Sequence, residues 1–361
     1  MDSWGGEAEA ARREKRIEER NRRVVAREER KAKEEEKEKM AAWRSEKYAK
    51  AVAYLLKSMG EPKEPWEQFR SQWMEDWGRS GCFGKFEDPT DIPPMRLTFS
   101  GSEIGYTMET LQFFSIKVAN IDKNLQWPLD VYGFVAIRDV LDRKRNMIFF
   151  RDRDSCQTIN QQDPYLALTG PTRAVAVSCD PSYFEVKLTL KGNTESEDKD
   201  FSLFVSTYRS YSSRRIFTSK LSTLEMSFKE LFSCVEATIC VKVVDGSWPD
   251  DFLGEFSACT ESLPDMKVKL VKCGDDKLPI DDDGKIQLTR SVVSVELKGF
   301  LRVSVMARRV NGKPLRREAV FEPKRSGTSS NSKLKVGSCR MEVTVSWSLF
   351  APGPYREGQF D

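Results

Sequence analysis

Arginine and aspartate crowd two short runs of this chain, R-D-V-L-D-R-K-R-N at 138–146 and R-D-R-D-S-C-Q at 151–157. Apolar residues 147–150 separate them. If that segment is one hairpin, the charged side chains gather at neighbouring strand ends. A G-P-T-R turn at 170–173 adds a further arginine. Arg138, Asp139, Asp142, Asn146, Arg153, Asp154 and Arg173 are therefore the candidate binding residues. Guanidinium forks suit phosphate or carboxylate. The same residues can instead satisfy each other as a ladder between strands. Both readings stay open on sequence alone.

Other chemistry is restricted by composition. The 361 residues include no histidine, the usual general base near neutral pH and the commonest metal ligand. A Ser-His-Asp or Cys-His centre is excluded within this sequence, as is a His-ligated zinc. Eight cysteines occur with no C-x-x-C spacing, so no zinc site is expected. The D-D-D-G run at 281–284 fails as an EF-hand loop, because its first and twelfth positions would be Pro279 and Arg290. It reads as a hairpin turn. We expect no cofactor and no metal; enzymatic activity is disfavoured, with carboxylate, lysine or tyrosine chemistry left open.

Lys plus Arg is 59 and Asp plus Glu is 56, a net charge of +3. A nucleic-acid binder concentrates its basic residues, whereas here most are interleaved with glutamate. Charge therefore does not indicate nucleic acid, and protein partners are expected. No apolar leader or stretch of about 18 apolar residues occurs. We expect no membrane segment and a place in cytoplasm or nucleus, with the cysteines as reduced thiols.

The elements that must position the cluster follow from periodicity. Residues 1–39 are saturated with charge, with helical-step pairs such as Glu18 with Arg22 and Glu35 with Lys39. They predict a solvated helix or a disordered arm. Residues 40–78 predict an amphipathic helical pair: an apolar stripe from Met40 to Met59, then a short helix from Pro65 carrying Trp66, Phe69, Trp73 and Trp77 on one side. That aromatic face must fold back on the first stripe, dock on the body or anchor in a partner's groove. Residues 79–100 read as a Gly/Pro-rich linker and 352–361 as a flexible tail.

Between them, residues 101–351 switch to period two, as in F-E-V-K-L-T-L at 184–190 and V-T-V-S-W-S-L at 343–349. Alternation of this kind signals antiparallel sheet. Residues 111–118 and 129–137 are apolar on both faces and read as central strands. Roughly ten strands, with one possible helix at 227–231, predict a mainly β chain whose body is an antiparallel sandwich or barrel-like sheet around a single substantial core.

The motifs V-Y-G-F-V-A-I-R-D-V-L-D-R-K-R-N at 131–146, F-x-R-x-R-D-x-C-Q-T-I at 149–159 and L-x-L-T-G-P-T-R-A-V at 166–175 carry a resemblance. They resemble a plant domain of unknown function, the family numbered 6598, found mainly in grasses. The likeness covers roughly residues 107–350 and leaves out the charged arm. It implies a β-rich domain with no established catalytic residues. Relatives that carry it beside an rRNA N-glycosylase domain imply an alternative, a stress- or defence-related action on RNA or ribosomes. The leading expectation remains a non-catalytic interaction or ligand-binding module.

Overall fold

Alternating apolar residues form strands when a second strand and a covering layer are at hand, and this chain supplies both twice over. The computed structural model describes residues 31, 35, 39, 50, 64–80, 83–99, 104–209, 215–272, 278–309 and 313–351. Met1–Glu64 and Pro65–Asp361 separate as two compact units. In the first, Lys31, Glu35, Lys39 and Lys50 are helical and exposed. The rest of the expected arm, the 40–59 stripe and the 352–361 tail lie outside the described residues.

The second unit begins with the helix expected at Pro65, α1 (Pro65–Asp76). Its first half continues with β1 (Met108–Ile121), β2 (Leu129–Arg138), β3 (Arg145–Arg151), β4 (Gln157–Ile159), β5 (Val175–Val177), β6 (Ser182–Leu190), β7 (Lys199–Tyr208) and β8 (Ile216–Ser219). Then follow β9 (Ser222–Asp245), β10 (Phe252–Thr260), β11 (Val268–Lys272), β12 (Val292–Glu296), β13 (Leu301–Arg309), β14 (Leu315–Phe321), β15 (Gly327–Val336) and β16 (Cys339–Ser348). Every pairing between these strands is antiparallel. The sheets are open among the described residues, so the body is sandwich-like and not a closed barrel.

The 24-residue strand β9 organises the whole. Its first half pairs with β8 and with β1, and β1 pairs on to β5. Its second half pairs with β12 and β16, and β16 pairs on to β15. Two further sheets are ordered β3-β2-β6-β7, with β4 beside β2, and β11-β10-β13-β14. Two apolar cores result. One gathers Phe113, Val135, Phe149, Phe184 and Phe228. The other gathers Val235, Phe256, Val303, Val343 and Trp347. The single core expected from length is thus two cores in series. Where β9 passes between them its register against β1 shifts, and Ser233 takes φ 52, a bulge conformation rare for a residue with a Cβ. A small cluster of Ile92, Leu141, Ala174, Ala176, Val292 and Phe350 is built from segments of both halves.

Two expectations are corrected. Residues 227–231 are strand, inside β9. Phe228 and Leu231 suit helical steps, but pairing of this stretch with β1 imposes the strand. The expected total of roughly ten strands is too low. Three-residue strands such as β4 and β5 are too short to show alternation, and G-T-S-S-N-S-K at the start of β15 lacks an apolar face until β16 supplies a partner. The D-D-D-G turn is present, with Gly284 at φ 79 and Ile280 bridged to Ile286. Asp281 accepts the amides of Asp283 and Lys285 there. Among the described residues no helix is long and apolar enough to cross a membrane.

Candidate functional site

The β2–β3 hairpin forms as expected and closes on Arg138 opposite Arg145. Two neighbouring guanidiniums repel, and Glu185 of β6 separates them. Its Oε2 accepts from Arg138 Nε at 2.6 Å, and its Oε1 accepts from Arg145 Nε at 2.9 Å and Nη2 at 2.6 Å. Arg138 gives its other N–H groups to the carbonyls of Phe86 and Arg143, and Arg145 donates to that of Glu87. Arg138 and Glu185 are wholly buried. Burial lowers the Arg138 proton affinity, and Glu185 works against that.

A second set forms at the hairpin turn. Arg173 grips Asp139 as a fork, Nη1 to Oδ2 at 2.5 Å and Nη2 to Oδ1 at 2.9 Å. Nη2 also reaches Asp142 Oδ1 at 3.0 Å, and Nε reaches Thr90 Oγ1 at 3.2 Å. Thr90 in turn donates to Asp142 Oδ2. The remaining carboxylate capacity of Asp139 goes to the amides of Leu141 and Ala176. Asn146 fixes the turn that carries Arg173, donating to the Arg173 carbonyl and accepting from Thr172 N–H. Burial would lower the Arg173 proton affinity, but Asp139, then Asp142 and Glu236, leave it raised. Glu236, in the second half of β9, accepts the amides of Met95 and Ala174. Its proton affinity is raised by burial against those two donors. Arg290, also buried, donates to the carbonyls of Gly170 and Phe113; burial alone pushes it down to about 10.

The segment read as a linker is irregular but packed, with Phe86 and Ile92 buried. Thr90 and Asp88 exchange backbone hydrogen bonds with Arg145 at the start of β3. Helix α1 docks on the body, one of the three fates open to its aromatic face. Trp73 is fully buried and its indole donates to the Arg143 carbonyl. Arg138 lies 4.2 Å from the Phe86 ring centre and 5.4 Å from that of Trp73. Arg145 lies 4.6 Å from Phe134, and Arg143 5.2 Å from Trp77. These desolvated cations gain from the ring faces.

Of the seven sequence-derived residues, Arg138, Asp139, Asp142, Asn146 and Arg173 come together, each no more than 3% exposed. Arg153 and Asp154 do not join them. Asp154 is exposed in the β3–β4 turn. Arg153 forks onto Asp198, which also accepts from the Tyr132 hydroxyl and the Gly192 amide. Gly192 lines an open cleft of about 560 Å³ with Pro128, Asp130, Lys191, Asn193 and Lys199. The Arg153 hydrogen bond, then those of Tyr132 and Gly192, lower the Asp198 proton affinity from the ordinary 3.8. Such a carboxylate adds stability above its ordinary value and loses it as pH falls. Asp198→Asn is therefore expected to lower the urea midpoint at neutral pH, with the gap to the parent closing as pH drops through that value. A gap that stayed constant across the acid range would contradict the assignment.

Glu185, Glu236, Thr90 and Arg290 complete the arrangement and were not singled out from sequence. Glu185 falls in the alternating run 184–190, where it reads as a solvent-facing position. The signal against that was next door. Residues 129–137 are apolar on both faces, and β2 pairs Ala136 with Glu185, so the outer face had to be covered. Chemically, every carboxylate oxygen of Asp139, Asp142 and Glu185 accepts a protein donor, and all three groups are no more than 3% exposed, so none is presented to a substrate.

The family model described as Domain of unknown function (DUF6598) matches residues 110–345. No curated protein matches the chain. Among solved structures, human GIVD cytosolic phospholipase A2 is similar at 9% identity over 67% of this chain, with a TM-score of 0.21. The match covers 33% of that protein, so the chain spans about a third of its length. A two-domain structure of Extended-Synaptotagmin 2 is similar at 9% identity and TM-score 0.21, over 73% of this chain and 98% of that one. Likeness at this level carries no argument about activity.

Proposed function

Because the chain belongs to the DUF6598 family of unknown function, we propose from its geometry that it is a non-catalytic binding module whose partners are proteins. One observation carries the reading. The Arg173–Asp139–Asp142–Thr90 set, the densest polar constellation, is closed on itself and buried. A catalytic base or nucleophile needs a free lone pair within reach of substrate, and these carboxylates are buried and hydrogen-bonded within the fold. The clamp joins the packed linker segment at Thr90, the β2–β3 turn and β5, and through Glu236 it reaches β9. A rigid body with surfaces free for recognition is what such a clamp supplies.

The test is a turnover panel. The purified chain, incubated with nucleotide, glycoside, ester, phosphoester and RNA substrates, is expected to match a heat-denatured control. Turnover of any of them that survives repurification and disappears in a folded Asp139→Asn variant would overturn the reading.

A further inference from the structure

The sheet β11-β10-β13-β14 buries one face in the second core, with Phe256, Val303, Val305 and Ala319 inward. Strict alternation places the neighbours of those residues outward. Five cations stand on that outer face: Lys269 and Lys272 of β11, Arg302 and Arg308 of β13, and Arg316 of β14. Two carboxylates share it, Glu255 and Glu318. Glu318 is taken by Arg302 at 3.2 Å and Arg316 at 2.7 Å. Among the described residues no carboxylate lies within ion-pair distance of Lys269, Lys272 or Arg308. All three are exposed.

Between Lys272 and Arg308 the face is hollowed. Leu253, Gly254 and Met306 line a depression of about 110 Å³, with Glu255, Lys272 and Arg308 at its rim. The register sets the spacing. Lys272 lies opposite Glu255, Glu255 opposite Met306, and Arg308 two residues further along β13. Two strand steps across and two residues along put the cations roughly 12 Å apart at their backbones.

We propose that this outer face binds an extended acidic segment of a partner protein, with an aliphatic anchor in the hollow and carboxylates two residues to either side. Alternate residues of an extended peptide share a face, so positions i and i+4 lie roughly 13 Å apart. That matches the Lys272–Arg308 separation. Glu255 sets the register: an acid directly over the hollow is repelled, while acids at either end meet a cation that has no ion-pair partner among the described residues. Among the described residues the hollow's lining offers no ring for a base to stack on, which disfavours single-stranded nucleic acid. The inference rests on the reading of the chain as a non-catalytic binding module.

The experiment uses the full chain and a fluorescent nonapeptide with the core E-T-L-T-E, read by anisotropy at low and moderate salt. The expected result is saturable, salt-weakened binding. Lys272→Glu with Arg308→Glu, both at exposed positions, should weaken it about tenfold or more while the melting temperature holds. The charge-swapped peptide K-T-L-T-K should bind this double variant better than the parent. Replacing the central leucine by serine should also weaken binding. Equal binding to parent and double variant overturns the proposal. So does an absence of peptide binding, with or without binding of a single-stranded RNA oligomer or anionic vesicles that the double variant loses. If the peptide fails while the turnover panel stays blank, the docking assignment alone falls. Turnover in the panel removes the broader reading instead.

Discussion

Arg173→Met is expected to lower stability by about 3–5 kcal/mol, enough to unfold much of the population of a marginal chain. The methionine fills comparable space, so the loss is electrostatic. Arg173 is the cation shared by Asp139 and Asp142, and its charge also acts on Glu236. All three carboxylates are no more than 5% exposed. Removing the arginine strands negative charge among side chains buried from solvent. Glu236 already has its proton affinity raised by burial, and Arg173 is one of the influences holding it down. In the variant the folded state should therefore take up protons more readily than the unfolded chain. A raised value in the folded state means stability gained as pH falls. The deficit should be widest at and above neutral pH and should shrink toward the ordinary carboxylate range. Urea titrations at several pH values check both parts. A midpoint equal to the parent's would show that the clamp does not hold the fold. A deficit independent of pH would show that packing, not charge, was lost.

Gly133→Ala is expected to cost about 3 kcal/mol or more, combining backbone strain with overpacking. Gly133 lies within β2 at φ +110, where a Cβ is disfavoured before any neighbour is considered. The added carbon would also stand 2.2 Å from the Lys187 carbonyl oxygen and 3.2 Å from the Leu188 Cα. Both obstacles are backbone atoms of β6, so no rotamer change relieves them. Moving β6 would shift Glu185 off its two arginines and Phe184 and Val186 out of the first core. Gly327→Ala is the control. It too has positive φ, at +87, but a Cβ there meets nothing within 4 Å. It should show strain alone, roughly 1 kcal/mol. Chemical denaturation of the two variants side by side separates strain from collision. Equal losses would mean that β6 yields more easily than its pairing on both sides suggests.

Periodicity made the strands with regular alternation legible. The run at 184–190 lies inside β6, the run at 343–349 falls in β16 but for its last residue, and the helix at Pro65 begins where its first-turn proline places it. What periodicity does not carry is the partner. β9 reads as a possible helix at 227–231 followed by a separate strand, because its bulge at Ser233 interrupts the alternation, so one strand serving two cores is not legible as such. β15 is polar enough to pass for a loop. For the polar cluster, residue type and crowding found Arg138, Asp139, Asp142, Asn146 and Arg173. The acids that complete it, Glu185 and Glu236, each sit at a polar step of an alternating strand. Only the packed linker segment and α1, whose Phe86 and Trp73 cover the Arg138 that pairs with Glu185, and the contact between the two halves, at Glu236, turn those steps inward. Arg153 was drawn into the same list by nearness in sequence, whereas the β3–β4 turn carries it to Asp198.

The long strand β9 also bears on how this fold can be taken apart or extended. Domains usually meet in a linker, where few contacts cross and a new segment can enter. Here the frontier between the two cores falls within one continuous strand, paired on both sides of its bulge, and an insertion at the bulge would throw one sheet or the other out of register. The two cores are therefore expected to fold and unfold as one unit. Pulled along β9, they would share the load in shear across both flanking strands, as one beam rather than two beads on a string.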